Sequence, residues 1–207
     1  MDKKNSFPIS ACTAIILAGG KSSRMNTDKK HLKINDSSLF DRVLSQTEKF
    51  FQNIIVSSSQ NKEIRSGKFR IVYDVYSNRG PLSGILSGLI GSATEKNFII
   101  AADIPELSAE LISEMYNFTD DYEIVIAESG AGKIEPLFGF YNKSTIPVIK
   151  ENLSMGKNKI LDIFENTTIK IIRMKNTDWY FNLNTEEDYK RYLLYLNHRD
   201  KLKTAKS

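Results

Sequence analysis

Short apolar runs alternate along this chain with stretches whose apolar residues recur three and four positions apart. Unbroken apolar runs predict strands at residues 11–17, 53–56, 69–73, 98–102, 124–127, 137–141 and 169–172. Helical spacing predicts helices over residues 39–51, 82–93, 109–116, 145–152, 159–164 and 185–196. The period separates the two kinds of element, because a helix repeats its buried face every 3.6 residues and a strand every two. Strands rich in Ile and Val and separated by helices are buried on both sides. The expectation is one α/β domain, a mostly parallel twisted sheet with helices on both faces. Ligands of such sheets bind beyond the carboxyl ends of the strands, so the residues that directly follow each strand carry the candidate chemistry.

Composition narrows this only modestly. A chain of 207 residues buries a core without help from disulfides, and the single cysteine, Cys12, has no partner within the chain. No apolar run approaches the roughly 18 residues of a membrane span, and residues 1–6 lack the apolar stretch of a signal peptide, so a cytoplasmic protein with no membrane partner is expected. The net charge is +4, part of it from Arg199, Lys201, Lys203 and Lys206, which face only Asp200. Residues 1–10 and 198–207 are read as flexible ends of a domain spanning residues 11–197, the second a solvated basic tail. Deleting residues 199–207 is expected to leave activity intact. No pattern of basic and aromatic residues suited to nucleic acid appears.

The most informative segment follows the first apolar run. Ala14-Ile15-Ile16-Leu17 leads into Ala18-Gly19-Gly20-Lys21-Ser22-Ser23-Arg24-Met25-Asn26-Thr27-Asp28-Lys29. Glycines let backbone N–H groups approach phosphate oxygens, and Arg24 and Lys29 can offset charge on a transferring phosphoryl group. Walker A is excluded, since Ile15 stands where its first glycine belongs. The dinucleotide fingerprint also fails for want of a third glycine. The bland alternative is a strand-to-helix connection with surface lysines.

Other strand ends add to it. Asp103 directly follows Phe98-Ile99-Ile100-Ala101-Ala102, and Pro105 stops the strand. A carboxylate so placed suits Mg²⁺ bridging phosphates; the competing role, capping the next helix, is open to Ser108 instead. Asp74 follows Arg70-Ile71-Val72-Tyr73 and precedes Gly80-Pro81-Leu82-Ser83-Gly84. Pro81 fits the first turn of a helix on which Gly84, Ser87, Gly88 and Gly91 share one face. Gly88 and Gly91 are read as packing positions, and Gly84 as one whose N–H could meet a nucleotide. Lys157, in Met155-Gly156-Lys157-Asn158-Lys159, is a candidate for a second anionic substrate or an ordinary charged helix start. Asn184 and Glu187 are spaced as a capping box, which leaves Asn182 unexplained.

These segments together resemble the MobA-like nucleotidyltransferases. The first loop, Gly80-Pro81-Leu82-Ser83-Gly84-Ile85, Asp103-Ile104-Pro105, Glu135-Pro136-Leu137-Phe138-Gly139-Phe140-Tyr141 and Phe181-Asn182-Leu183-Asn184-Thr185 occur in the order of that family. The last two narrow the resemblance to its molybdenum cofactor guanylyltransferase branch. The resemblance implies a Rossmann-like nucleotidyltransferase fold and a reaction in which GTP and Mo-molybdopterin give the guanine dinucleotide cofactor and pyrophosphate. It implies that Leu17, Ala18, Gly19 and Gly20 cradle the nucleotide, that Arg24 and Lys29 neutralise its phosphates as the catalytic cations, that Asp74 contacts the nucleoside, and that Asp103 binds Mg²⁺. Asn182 corresponds to a second metal-ligand position in related sugar nucleotidyltransferases, and is also counted with Lys157 toward the second substrate. Molybdenum cofactor carriers or molybdoenzyme apoproteins are the implied transient partners.

Two positions depart from the family. Asn26 replaces the usual glycine after Arg-Met, and Ser57 replaces the Asn that commonly follows the second strand and touches the nucleotide. Serine keeps donor and acceptor capacity but reaches less far. Alternatives left open are a relative that uses CTP, an enzyme that activates sugar phosphates, and a carrier that binds nucleotide and pterin without joining them.

Overall fold

The computed structural model describes residues 11–18, 33–34, 37–59, 69–130 and 132–204. Among them the order is β1 (Cys12–Leu17), β2 (Lys33–Ile34), β3 (Ser37–Ser38), α1 (Leu39–Thr47), β4 (Asn53–Ser58), β5 (Arg70–Tyr73), α2 (Gly80–Gly91), β6 (Lys96–Ala101), α3 (Ala109–Tyr116), β7 (Ile124–Glu128), β8 (Ile134–Asn142), α4 (Ile146–Ser154), β9 (Ile169–Arg173) and α5 (Glu186–Thr204). Two 3₁₀ segments, Lys143–Thr145 and Ile160–Asn166, flank α4. The seven large strands form one sheet in the order β5-β4-β1-β6-β8-β7-β9. β1 pairs in parallel with β4 and β6, β4 with β5, and β7 with β9; β8 alone among these runs antiparallel, between β6 and β7.

β1 shows why its run is continuously apolar. Ala14 and Ile16 pack into one layer with Val43 of α1 and Leu111, Ile112 and Met115 of α3. Ile15 and Leu17 pack into the other with Leu82, Ile85 and Leu86 of α2 and Ile149 and Leu153 of α4. Alternate side chains thus face opposite layers, and the expected doubly covered sheet is what forms. Cys12 is fully buried at the start of this strand. Burial pushes its thiol up to about 11, against the opposing pull of the Lys96 charge and a Tyr116 hydrogen bond, as a structural thiol should behave.

Three expectations need correction. The segment after Asn158 folds as 3₁₀ turns rather than an α-helix. The cap of α5 falls one residue later than the Asn184–Glu187 box: Thr185 Oγ1 accepts from Asp188 N–H at 3.1 Å, and Asp188 Oδ2 accepts from Thr185 N–H at 3.0 Å. Residues 198–204 do not form a flexible tail, because α5 continues to Thr204. Tyr192 and Leu196 pack with Leu39 and Leu183 in a small third cluster, and Arg199 forms an ion pair with the buried Glu106. Residues 1–10 and 205–207 lie outside the described residues.

Candidate active site

β1, β4 and β5 end side by side, and each supplies one group of the site. The strand ladder runs past the strands themselves: Ala18 N–H donates to the Ser57 carbonyl at 2.8 Å, Ala102 N–H to the Leu17 carbonyl at 3.1 Å, and Asp74 N–H to the Ser58 carbonyl at 3.1 Å. Leu17, Ser57 and Asp74 therefore have fixed positions set by backbone pairing. Ser57 Oγ donates to Asp74 Oδ1 at 3.2 Å, with Ser57 buried and Asp74 half-buried. The Ala18 N–H is spent on the ladder.

α2 lies against this row. Gly84 is buried, and a methyl group there would sit 3.3 Å from Leu17 Cδ2, 3.3 Å from Ser57 Oγ and 3.5 Å from Asp74 Oδ1. Gly84 lets the helix close on these three residues. Gly88 and Gly91 pack as anticipated, against Ile15 and Val72. The loop after Asp74 is pinned to the same helix. Val75 N–H donates to Ser87 Oγ at 2.9 Å, Tyr76 N–H to Ser83 Oγ at 3.1 Å, and Ser83 Oγ back to the Tyr76 carbonyl at 2.8 Å. Gly80 begins the helix at φ +66°, a conformation that disfavours any side chain, and Pro81 occupies its first turn. Asparagine 158 and Gly156 lie against that start: a methyl on Gly80 would be 3.5 Å from the Asn158 carbonyl, and one on Gly156 would be 3.7 Å from Arg79 Nη1. Lys157 is exposed on this turn.

The remaining groups gather at the end of β6. Asp103 is half-buried, and its carbonyl accepts from Leu183 N–H at 2.9 Å. That bond brings Asn182, half-buried, beside the carboxylate-bearing segment; Asn182 Oδ1 accepts from Asn184 Nδ2 at 2.6 Å. Ser108 caps α3, accepting from Leu111 N–H at 3.3 Å, which leaves Asp103 out of the cap. Lys157 and Asn182, the two candidates for a second substrate, are thus anchored to different elements.

Sequence reasoning did not place Glu135 and Tyr180 in the site. Glu135 is buried on β8 and accepts from Ser129 Oγ at 2.6 Å and from Lys133 Nζ at 3.0 Å. The Tyr180 phenol is raised far above its ordinary range, by burial first and then by the nearby charges of Glu135 and Asp103. Its hydroxyl is buried without a hydrogen-bond partner among the described residues. The Glu135 motif was visible as a run of residues, but nothing local tied it to Asp103.

Gly19, Gly20, Arg24 and Lys29 lie outside the described residues. For a divalent cation, the described donors are one carboxylate, Asp103, and one neighbouring amide, Asn182. Among the described residues no group of three or more His, Cys, Asp or Glu could hold a metal. That donor set fits Mg²⁺, which takes one or two protein oxygens and draws the rest from phosphates and water.

Residues 14–169 match the MobA-like NTP transferase domain. A probable molybdenum cofactor guanylyltransferase of Carboxydothermus hydrogenoformans is 32% identical over 188 residues, covering 87% of this chain and 94% of that protein. A molybdenum cofactor guanylyltransferase of Campylobacter jejuni subsp. doylei is 31% identical over 182 residues, covering 86% and 93%. The solved molybdopterin-guanine dinucleotide biosynthesis protein A of Archaeoglobus fulgidus has the same fold, with a TM-score of 0.77 at 19% identity over 90% of this chain and 99% of that one. Fold and matched domain define a nucleotidyltransferase. The chain belongs to the MobA-like NTP transferase family. Among its described residues no helix is long and apolar enough to cross a membrane.

Proposed function

We propose that this enzyme transfers GMP from GTP to Mo-molybdopterin, forming the guanine dinucleotide cofactor and pyrophosphate. The observation that carries this is the convergence of Leu17, Ser57 and Asp74 on Gly84, next to the Asp103 strand end. The names and coverage of the relatives support the choice of substrates.

A terminal phosphate oxygen of the pterin attacks the α-phosphorus of GTP. A new P–O bond forms there, and the bond from that phosphorus to the bridging oxygen breaks as pyrophosphate leaves. The protein's share is to position and to neutralise charge. Leu17, Ala18, Gly19 and Gly20 wall in the nucleotide. Ser57 orients the Asp74 carboxylate, which accepts from donors of the nucleoside. Arg24 and Lys29 offset the phosphates. Asp103 would hold Mg²⁺ with Asn182 as the neighbouring oxygen donor, and the ion when bound supplies charge neutralisation between phosphate groups. Lys157 and Asn182 face the pterin phosphate in this scheme. Carriers or molybdoenzyme apoproteins would meet the enzyme transiently, in the cytoplasm, where nucleoside triphosphates are held.

The test is pyrophosphate release from a nucleotide panel with Mg²⁺ and Mo-molybdopterin. GTP is expected to be preferred. A lasting preference for CTP moves the enzyme to the cytidylyltransferase relatives, and turnover only with a sugar phosphate removes the pterin.

A further inference from the structure

Glu106 lies three residues beyond Asp103, on the segment that leaves β6, and its side chain is 8% exposed. An isolated carboxylate so buried would be costly. This one is enclosed by donors from two distant helices. Arg42 Nη2 of α1 donates to Oε1 at 2.5 Å, Tyr192 Oη of α5 to Oε1 at 2.6 Å, and Arg199 Nη1 of α5 to Oε2 at 3.2 Å. The Arg42 guanidinium also lies 5.9 Å from the centre of the Tyr192 ring. Burial, and after it the bond to Glu106, raises the Tyr192 phenol well above its ordinary range. It therefore remains a donor at any working pH.

Two of the segments joined at Glu106 carry described groups of the phosphate side. Asp103 sits on the same short segment as Glu106, with only Ile104 and Pro105 between them, both buried. Asn182 precedes α5, and Leu183 next to it is bonded to the Asp103 carbonyl. Leu39, at the start of α1, packs with Leu183, Tyr192 and Leu196. A shift of α5 would thus pull on both Asp103 and Asn182.

Resting on the transferase assignment above, we propose that Glu106 is a positioning residue of the reaction: through Arg42, Tyr192 and Arg199 it locks the Asp103 and Asn182 segments at a fixed separation. It touches neither substrate nor metal. The nucleoside side, built from Leu17, Ser57, Asp74 and Gly84, shares none of these contacts.

The test compares the full chain with its Glu106→Gln and Arg199→Lys variants. Glutamine keeps the shape but removes the charge and sets an amide donor against the guanidinium donors. The Mg²⁺ concentration for half-maximal pyrophosphate release is expected to rise about tenfold and kcat to fall, while KM for GTP changes less than about twofold. Hydrogen exchange at the Leu183 amide, which needs no turnover, is expected to quicken about tenfold. Lysine at position 199 loses the fork but keeps the charge, and should move both readings less. An unchanged Mg²⁺ requirement together with wild-type exchange at Leu183 overturns the proposal. So does a variant whose GTP KM and Mg²⁺ requirement rise in step, since that marks general loosening. Should Glu106→Gln fail to fold, Arg199→Lys carries the same two readings. Should the wild-type protein turn over no GTP, the assignment of function fails, and the Leu183 exchange still decides whether Glu106 holds the segment.

Discussion

On the nucleoside side of the site, Leu17, Ser57 and Asp74 are held by adjacent strands and by a helix brought close through Gly84 and Gly88. On the proposed phosphate side, the segments of Asp103 and Asn182 are joined by the Leu183–Asp103 backbone hydrogen bond and braced by long side chains that meet at Glu106. The first arrangement uses hydrogen bonds of the sheet, which are many and cooperative. The second depends on a few charged contacts between elements far apart in sequence, one of them spanning 93 positions. Damage to the first should appear as lost packing or lost nucleotide affinity, and damage to the second as lost chemistry in a folded protein.

Asp103→Asn is the sharpest way to break that comparison. Removing the carboxylate should lower kcat by about 10²–10³-fold with a circular dichroism spectrum and melting temperature close to those of the wild type. Turnover equal to wild type would take Asp103 out of the phosphate side. Gly88→Ala should act in the opposite manner. The new methyl would overlap Ile15 Cγ2 and lie 2.9 Å from its Cδ1, and Ile15 is β-branched and fully buried, so it cannot turn away. Overpacking costs about 1–3 kcal/mol, to be read from urea denaturation, with kcat retained by the folded fraction. Gly91→Ala is the milder comparison: its methyl would lie 2.8 Å from Val72 Cγ1, on the edge strand β5 where Val72 is only half-buried, so a smaller loss of stability than at Gly88 is expected.

Gly84→Ala should leave stability nearly intact but press on Ser57 Oγ and Asp74 Oδ1, raising KM for GTP about tenfold with kcat held. An equal fall in kcat would mean that the two sides of the site are coupled. Ser57→Ala is the mildest change. It removes one hydrogen bond to Asp74, worth about 1 kcal/mol, and should raise the same KM about fivefold; no shift at all would mean that Asp74 keeps its orientation without Ser57.

What could be read from the residues follows the same division. The strands and helices of the sheet were legible because burial on both faces writes long apolar runs, as in Ala14 to Leu17. Ser57, Asp74 and Asp103 stand out as candidates because each directly follows such a run, and Leu17 because it ends one. The short β2–β3 pairing was not, since two-residue strands carry no period. The role of α5 was misread for a physical reason: its charges resemble those of a solvated end, and only the tertiary fold shows that Arg199 and Tyr192 have a buried carboxylate to answer. Glu106 was hidden, because its partners Arg42, Tyr192 and Arg199 are brought to it in space and leave no mark in the neighbouring sequence.

The late position of α5 has a consequence for synthesis. Chains fold as they leave the ribosome, earlier parts first, and β5, β4, β1 and β6 are contiguous in the sheet. Tyr192 and Arg199 follow Glu106 by 86 and 93 positions, so that carboxylate gains its two α5 donors only once α5 has been made.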